Sequence, residues 1–194
     1  MFLNTADIRD RIRVELPATI ASYDHMHPIL NAAGWTLNAN GVAVTTSTSS
    51  MMALMVGGFV NQKITASIKY TSPTNQGSED IGLLARLYTN QTGYATYYYC
   101  RQTGGNFRIG KNVDGTFTTL ANQNYALAQN TYALMILRVI GSSLYAMIDD
   151  GVQEPLELNA TDSAIPGPGA MGFRSGPTNS STVAVRSLIA EEAA

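Results

Sequence analysis

Apolar and polar residues alternate with a period of two along most of this chain. Gln62 to Thr71 is the clearest stretch: Ile64, Ala66, Ile68 and Tyr70 fall on one side, and Lys63, Thr65, Ser67 and Lys69 on the other. An extended chain turns successive side chains to opposite faces, so this segment predicts a strand with one buried face. Two runs rich in β-branched and aromatic residues, Ile81 to Tyr88 and Tyr94 to Arg101, flank Thr-Asn-Gln-Thr-Gly; a third, Asn106 to Lys111, follows Gly104-Gly105. Runs of strand length separated by residues that tolerate tight turns predict a β-meander.

The same signature continues on both sides. Trp35 to Asn38, Gly41 to Thr46 and Met51 to Val56 precede the meander. Asp114-Gly115 turns the chain into Thr116 to Ala121, and Gly141-Ser142 turns Tyr132 to Ile140 back into Leu144 to Asp149. Asp150-Gly151 leads into Val152 to Leu158, Gly167-Pro168-Gly169 into Ala170 to Arg174, and Thr182 to Ile189 closes the series. Pro155 has no N–H to give to a ladder, which makes its segment an edge strand or a bulge. About a dozen short strands with no long helix between them predict an all-β fold, an antiparallel β-sandwich of the jelly-roll kind.

The first 34 residues read differently. Thr5 to Arg13 predicts a short helix: Asn4 or Thr5 can cap it, Asp7 sits in its first turn, and Ile8 and Ile12 repeat at i, i+4. Asp7–Arg11 and Arg11–Glu15 have the spacing of helical ion pairs, and Pro17 ends the segment. A strand competes, because Ile12, Val14 and Leu16 alternate with Arg13 and Glu15. Ala18 to Gly34 has no regular period and predicts an extended connector. The domain organisation that follows is a helix and arm over 1–34 and a sandwich over 35–194.

Charge narrows the function classes. Only 13% of the 194 residues are charged and the net charge is −2, with Lys and Arg scattered singly. No basic stripe meets a phosphate backbone, so nucleic acid is not an expected partner. No apolar run reaches the roughly 20 residues that span a bilayer, and no signal peptide opens the chain. Thr, Ser, Asn, Gln and Gly replace the missing charge, a surface suited to being covered by other protein.

Several blocks together resemble the concanavalin A-like lectin/glucanase superfamily in its laminin-G-like form. They are Gly34-Trp35, Ile81-Gly82-Leu83-Leu84-Ala85-Arg86 with Tyr97-Tyr98-Tyr99, and Phe107-Arg108-Ile109-Gly110-Lys111 with Asp114-Gly115. Leu137-Arg138-Val139 with Gly141 and Asp150-Gly151, then Gly169-Ala170-Met171-Gly172-Phe173-Arg174-Ser175-Gly176, complete an ordered set over Trp35 to Ile189. The resemblance implies the concanavalin A-like jelly roll, a fold that carries lectins, glycosidases, adhesion modules and virion proteins.

Candidate chemistry is sparse. Glycosidases of that superfamily place Glu-x-Asp-x-(x)-Glu on one concave strand, a spacing absent here, so no enzyme activity, catalytic residue or cofactor is expected. His25 and His27 share a side of an extended chain but lack further ligands, and no metal is expected there. The resemblance also raises calcium at Asp149, Asp150 and Asp162, without a bidentate ligand set to hold it. Cys100, the only cysteine, is expected to be a buried small hydrophobe.

Two functional expectations follow. The first is a structural virion component of a tailed phage, a head decoration or tail appendage made in the host cytoplasm. It would assemble with other virion proteins and with copies of itself through Phe2, Leu3, Ile8 and Ile12. The alternative is a glycan-binding, lectin-like module that uses the Tyr-rich sheet face: alternation puts Tyr94, Tyr98 and Cys100 on one side, and Tyr97, Tyr99 and Arg101 on the candidate ligand side.

Overall fold

Antiparallel pairing organises the residues that the computed structural model describes, which are 11–14, 26–30, 35–37, 43–45, 50–54, 59–71, 80–89, 95–128, 130–175 and 182–193. They form β1 (Arg11–Val14), β2 (Met26–Leu30), β3 (Trp35–Leu37), β4 (Ala43–Thr45), β5 (Ser50–Leu54), β6 (Gln62–Thr71), β7 (Asp80–Thr89) and β8 (Ala95–Thr103). These are followed by β9 (Asn106–Val113), β10 (Thr116–Asn124), β11 (Ala133–Ile140), β12 (Ser143–Asp149), β13 (Leu156–Thr161), β14 (Ala170–Ser175) and β15 (Thr182–Glu192). One sheet of eight strands runs β13-β12-β11-β6-β15-β4-β3, with β1 added on β15; the other, of seven, runs β10-β9-β8-β7-β14-β5-β2. The all-β antiparallel sandwich expected from the alternating pattern is therefore the architecture of the described residues.

Local chemistry sets the meander. Asp114 and Gly115 have φ of 50° and 87°, the paired positive values that let a two-residue turn follow the strand twist. That turn fixes Val113 opposite Thr116 and Phe117 opposite Asn112. Between the sheets, Ile64, Ala66 and Ile68 of β6 and Met135, Leu137 and Val139 of β11 meet Leu83, Tyr98, Cys100, Ile109 and Phe173 of the seven-stranded sheet. The inward residues of each strand are its period-two apolar set, so burial of one face specifies the register.

Where the expected N-terminal helix of Thr5 to Arg13 falls on described residues, the chain is a strand instead. Arg11–Val14 is strand β1, with Arg11 opposite Glu191 and Val14 opposite Leu188, while residues 5–10 lie outside the described residues. The competing alternation of Ile12 and Val14 wins because the edge of β15 beyond β4 offers a whole ladder of backbone partners. Two helical ion pairs contribute only a few tenths of a kcal/mol each. Part of the expected connector is also a strand: β2 pairs with β5 at the edge of the seven-stranded sheet. Pro28 falls within its register shift between His27 and Leu30, where a missing N–H costs no ladder bond. Pro155 immediately precedes β13, which forms the edge of the eight-stranded sheet.

A polar hub ties the two sheets together. The register of β7 on β8 shifts between Ala85 and Tyr88, and Arg86 sits there with φ of 51°. Its side chain is 1% exposed; Nε donates to Val60 O at 3.0 Å and Nη1 to Ile165 O at 2.7 Å. Gln62 of β6 accepts the Arg86 N–H at 2.7 Å and donates to Phe59 O and Gly169 O at 2.9 and 2.7 Å. Gly169 passes so close to the Arg86 backbone that a Cβ there would collide with it.

Cys100 lies in the core with no exposed surface, and burial pushes its thiol from 9.0 up to about 12. Because the thiolate is the nucleophile, iodoacetamide at about pH 8 should leave the folded protein unmodified and alkylate it fully in denaturant. Rapid labelling of the native protein would mean that the seven-stranded sheet opens.

Candidate functional site

The outer face of the seven-stranded sheet gathers aromatic rings and arginines. Tyr98 and Cys100 of β8 point into the main core, which sends Tyr97, Tyr99 and Arg101 to the opposite side, where Tyr97 and Tyr99 join a second apolar cluster with Leu84 and Leu87. Cross-strand register then builds the face in rows. Tyr97 lies opposite Asn112, and Asn112 opposite Phe117. Tyr99 lies opposite Gly110, where a Cβ would overlap the phenol, so glycine allows the ring to lie across β9. Arg101 lies opposite both Arg108 and Gly82, and Gly82 opposite Arg174 of β14.

Three rings pack together, Tyr97 edge-on to both Tyr99 and Phe117, and Tyr99 tilted against Phe117. Centroids are 6.2 Å apart for Tyr97 and Tyr99, 6.4 Å for Tyr97 and Phe117, and 6.0 Å for Tyr99 and Phe117. These separations suit the ring quadrupoles. Guanidinium groups cover the cluster: Arg101 stands 4.9 Å from the Tyr99 centroid and 5.4 Å from that of Phe117, and Arg174 stands 5.1 Å from Phe117. The Arg174 Nη1 also donates to the Tyr97 hydroxyl at 3.3 Å, and Arg108 Nε to Asn122 Oδ1 at 3.0 Å.

This geometry corrects which rings are offered to solvent. Tyr97 and Tyr99 occupy the expected face but are only 1% and 2% exposed, whereas Phe117 is 45% exposed. The two tyrosines are the bed and Phe117 is the accessible surface, with half-buried Arg101 and Arg174 beside it. Phe117 was legible in principle, since the Asp114-Gly115 turn places it in the Tyr97 row. Arg174 was not, because only the pairing of β14 with β7 brings it there. Two buried polar atoms of the face, Tyr99 Oη and Asn112 Oδ1, have no protein hydrogen-bond partner.

The acidic candidates are structural. Asp150, 4% exposed, receives Tyr125 Oη, Val152 N and Gln153 N on Oδ1 at 3.2, 3.0 and 3.2 Å, and Ala128 N and the Gln153 amide on Oδ2 at 3.3 and 3.2 Å. Asp162 receives the Tyr98 hydroxyl and Ala164 N on Oδ1 and pairs with Lys111 through Oδ2. Asp149 Oδ1 accepts from Gly151 N at 2.8 Å in the turn. Burial pushes the Asp162 carboxyl up, but Lys111, Ala164 N–H and Tyr98 together hold it below its ordinary value. Both oxygens of Asp150 and of Asp162 are thus engaged by protein donors, the opposite of a set awaiting a hard cation. Among the described residues no group of His, Cys, Asp or Glu could hold a metal ion.

Of the remaining candidates, Phe2, Leu3, Ile8 and His25 lie outside the described residues, while Ile12 lies opposite Ala190 on β15 and His27 opposite Ala53 on β5.

No protein-family model matches the chain, and no curated protein matches it. Solved structures do. The carbohydrate binding module CBM66 from Bacillus subtilis superposes with a TM-score of 0.67 at 13% identity, covering 87% of this chain and 96% of its own. Lectin II from Ulex europaeus gives 0.67 at 11%, covering 93% and 97%, and the exoplasmic/lumenal domain of VIP36, solved with Ca2+ and Man3GlcNAc, gives 0.65 at 12%, covering 94% and 88%. The GH43 protein BlXynB from Bacillus licheniformis also matches, over 86% of this chain but only 36% of its own. At such identities the likeness speaks for fold, and the fold is the concanavalin A-like jelly-roll sandwich shared by lectins and carbohydrate-binding modules.

Proposed function

We propose that this protein is a non-catalytic carbohydrate-binding module that holds sugar on the outer face of its seven-stranded sheet. The observation that carries the proposal is Phe117: one exposed ring braced by two buried tyrosines and two guanidinium groups. A ring whose position is locked by packing from below presents a flat apolar plate at little ordering cost, suited to the C–H face of a pyranose or furanose.

The lectins and binding modules that share the fold agree with this reading, and they lend no support to the virion component expected from composition. Removing residues 1–34 would also strip β1 and β2 from the two sheets, so that segment does more than connect.

Binding of the whole chain to an array of neutral and acidic glycans tests the proposal. Phe117→Ala should weaken every positive signal about tenfold or more while leaving the melting temperature within a few degrees, because the ring is half in solvent. Undiminished binding by that variant would place the sugar elsewhere, and release of reducing sugar from any bound polysaccharide would contradict the non-catalytic assignment.

A further inference from the structure

We infer that Tyr99 and Asn112 determine the specificity of this face by selecting a sugar with a free hydroxyl to donate, a refinement that rests on the carbohydrate reading. Tyr99 Oη and Asn112 Oδ1 are buried polar atoms with no protein partner, on residues 2% and 5% exposed. Buried polar groups are ordinarily satisfied, and an orphan lowers stability. Arg86 Nη2 and Gln102 Oε1 are orphaned too, but their side chains are anchored through other polar atoms. Tyr99 has no second anchor, since the hydroxyl is the one polar group of its side chain.

Both residues adjoin the exposed ring. Asn112 of β9 lies between Tyr97 on β8 and Phe117 on β10. The Tyr99 ring is centred 6.0 Å from that of Phe117, and its hydroxyl lies over Gly110, where a Cβ would collide with it and with Thr118 O. Phe117 itself is carried by the end strand of the sheet, which pairs only with β9 among the described residues. A sugar that shifts this ring therefore reaches both atoms without breaking a second ladder, and its hydroxyls replace the ring edge as their cover.

The chemistry of the two atoms sets the ligand class. The Asn112 oxygen only accepts, so its partner must donate: a sugar hydroxyl does, whereas an ether, ester or carboxylate oxygen does not. The Tyr99 hydroxyl gives or takes and fits the same kind of group, directly or through water. A sugar that lacks the hydroxyl would leave the Asn112 oxygen unpaired in the complex, and a site built on hydrogen bonding rejects such an analogue strongly.

The test is calorimetry on the full-length protein, Tyr99→Phe and Asn112→Leu with the strongest-binding glycan of the array and its monodeoxy counterparts. At least one monodeoxy sugar should bind the parent about tenfold more weakly than the complete glycan. Each variant should lose about tenfold for the complete glycan and discriminate less against that deoxy sugar. Both variants should melt at or above the parent temperature, because a buried orphan atom has been removed. Tyr99→Phe deletes a single oxygen, so folding is not at issue. Weaker binding accompanied by a melting temperature several degrees lower would make the two side chains structural and overturn the inference. Undiminished binding by both variants, or equal affinity of the parent for every deoxy sugar, would overturn it too. Phe117→Ala would still weaken binding in those cases, and the carbohydrate reading would stand. Failure to bind any glycan overturns both.

Discussion

Arg86→Ala should lower the free energy of unfolding by about 3–5 kcal/mol, more than any surface substitution in this protein. Three effects add. Val60 O and Ile165 O lose charge-assisted hydrogen bonds of 3.0 and 2.7 Å, each contributing about 1.5–3 kcal/mol. The stacking of the guanidinium on Tyr98, at 5.9 Å, disappears. A cavity also opens where the long stem was packed between the sheets.

One effect opposes them. Burial disfavours the cation and pulls its pKa below the ordinary arginine value, countered in part by Tyr98, so removing the charge relieves a desolvation cost. Arg86→Met separates these contributions, because it keeps most of the stem and deletes the charge with its hydrogen bonds. We expect a loss of about 1–3 kcal/mol for Met, clearly smaller than for Ala. Denaturant melts of the two variants decide it; an Ala variant within about 1 kcal/mol of the parent would mean that the hub contributes little.

Asp150→Ala is expected to cost nearly as much, about 3–4 kcal/mol, through a different mechanism. The carboxylate gathers the 150–153 turn, Ala128 and Tyr125 on two oxygens, and Tyr125 in turn holds β8, since Gln102 Nε2 donates to Tyr125 O at 2.6 Å. Alanine would strand these donors with no acceptor. The same carboxyl adds an acid dependence. Burial pushes its pKa up, but N–H groups of Val152, Gln153 and Ala128 and the Gln153 amide outweigh burial and hold it below 3.8.

A carboxyl depressed in the folded state binds its proton more readily in the unfolded one. Its contribution is therefore present above about pH 4 and is lost as pH falls through the folded value. Asp150→Asn, which cannot titrate, should melt with a shallower loss between about pH 4 and 2 than the parent. Identical acid limbs would show that Asp150 is not a source of the acid sensitivity; Asp162, depressed likewise, would then carry it.

Much of this architecture was legible from residue order. The span of β6 is that of the alternating run Gln62–Thr71, and the hairpins at Gly104-Gly105 and Asp114-Gly115 turn where positive φ was cheapest. The face shared by Tyr97, Tyr99 and Arg101 followed from the period of two alone. What could not be read was how far the face was already filled. Tyr99 lies across Gly110, and Arg174 arrives from a strand some 70 positions further along the chain, so rings expected at the surface are covered.

The N-terminal segment failed for a related reason. Local propensity there was weak in both directions, and the deciding term was an unpaired stretch of β15 nearly 180 residues away. Arg86 gave no warning either: nothing in the run Ile81 to Tyr88 marks its single Arg as the place where a bulge turns the side chain inward onto Val60 and Ile165.

From Trp35 onward sequence by itself determined most of the strands and the turns between neighbours, because these depend on contacts a few residues apart. It also showed that the glucanase carboxylate spacing is absent from the residue order. Only the tertiary structure decided which distant strands lie side by side. From that came the burial of Tyr97 and Tyr99, the exposure of Phe117 and the meeting of Arg101 with Arg174. Pairing between β14 and β7 leaves no periodic trace in either strand, since every antiparallel ladder uses the same backbone groups.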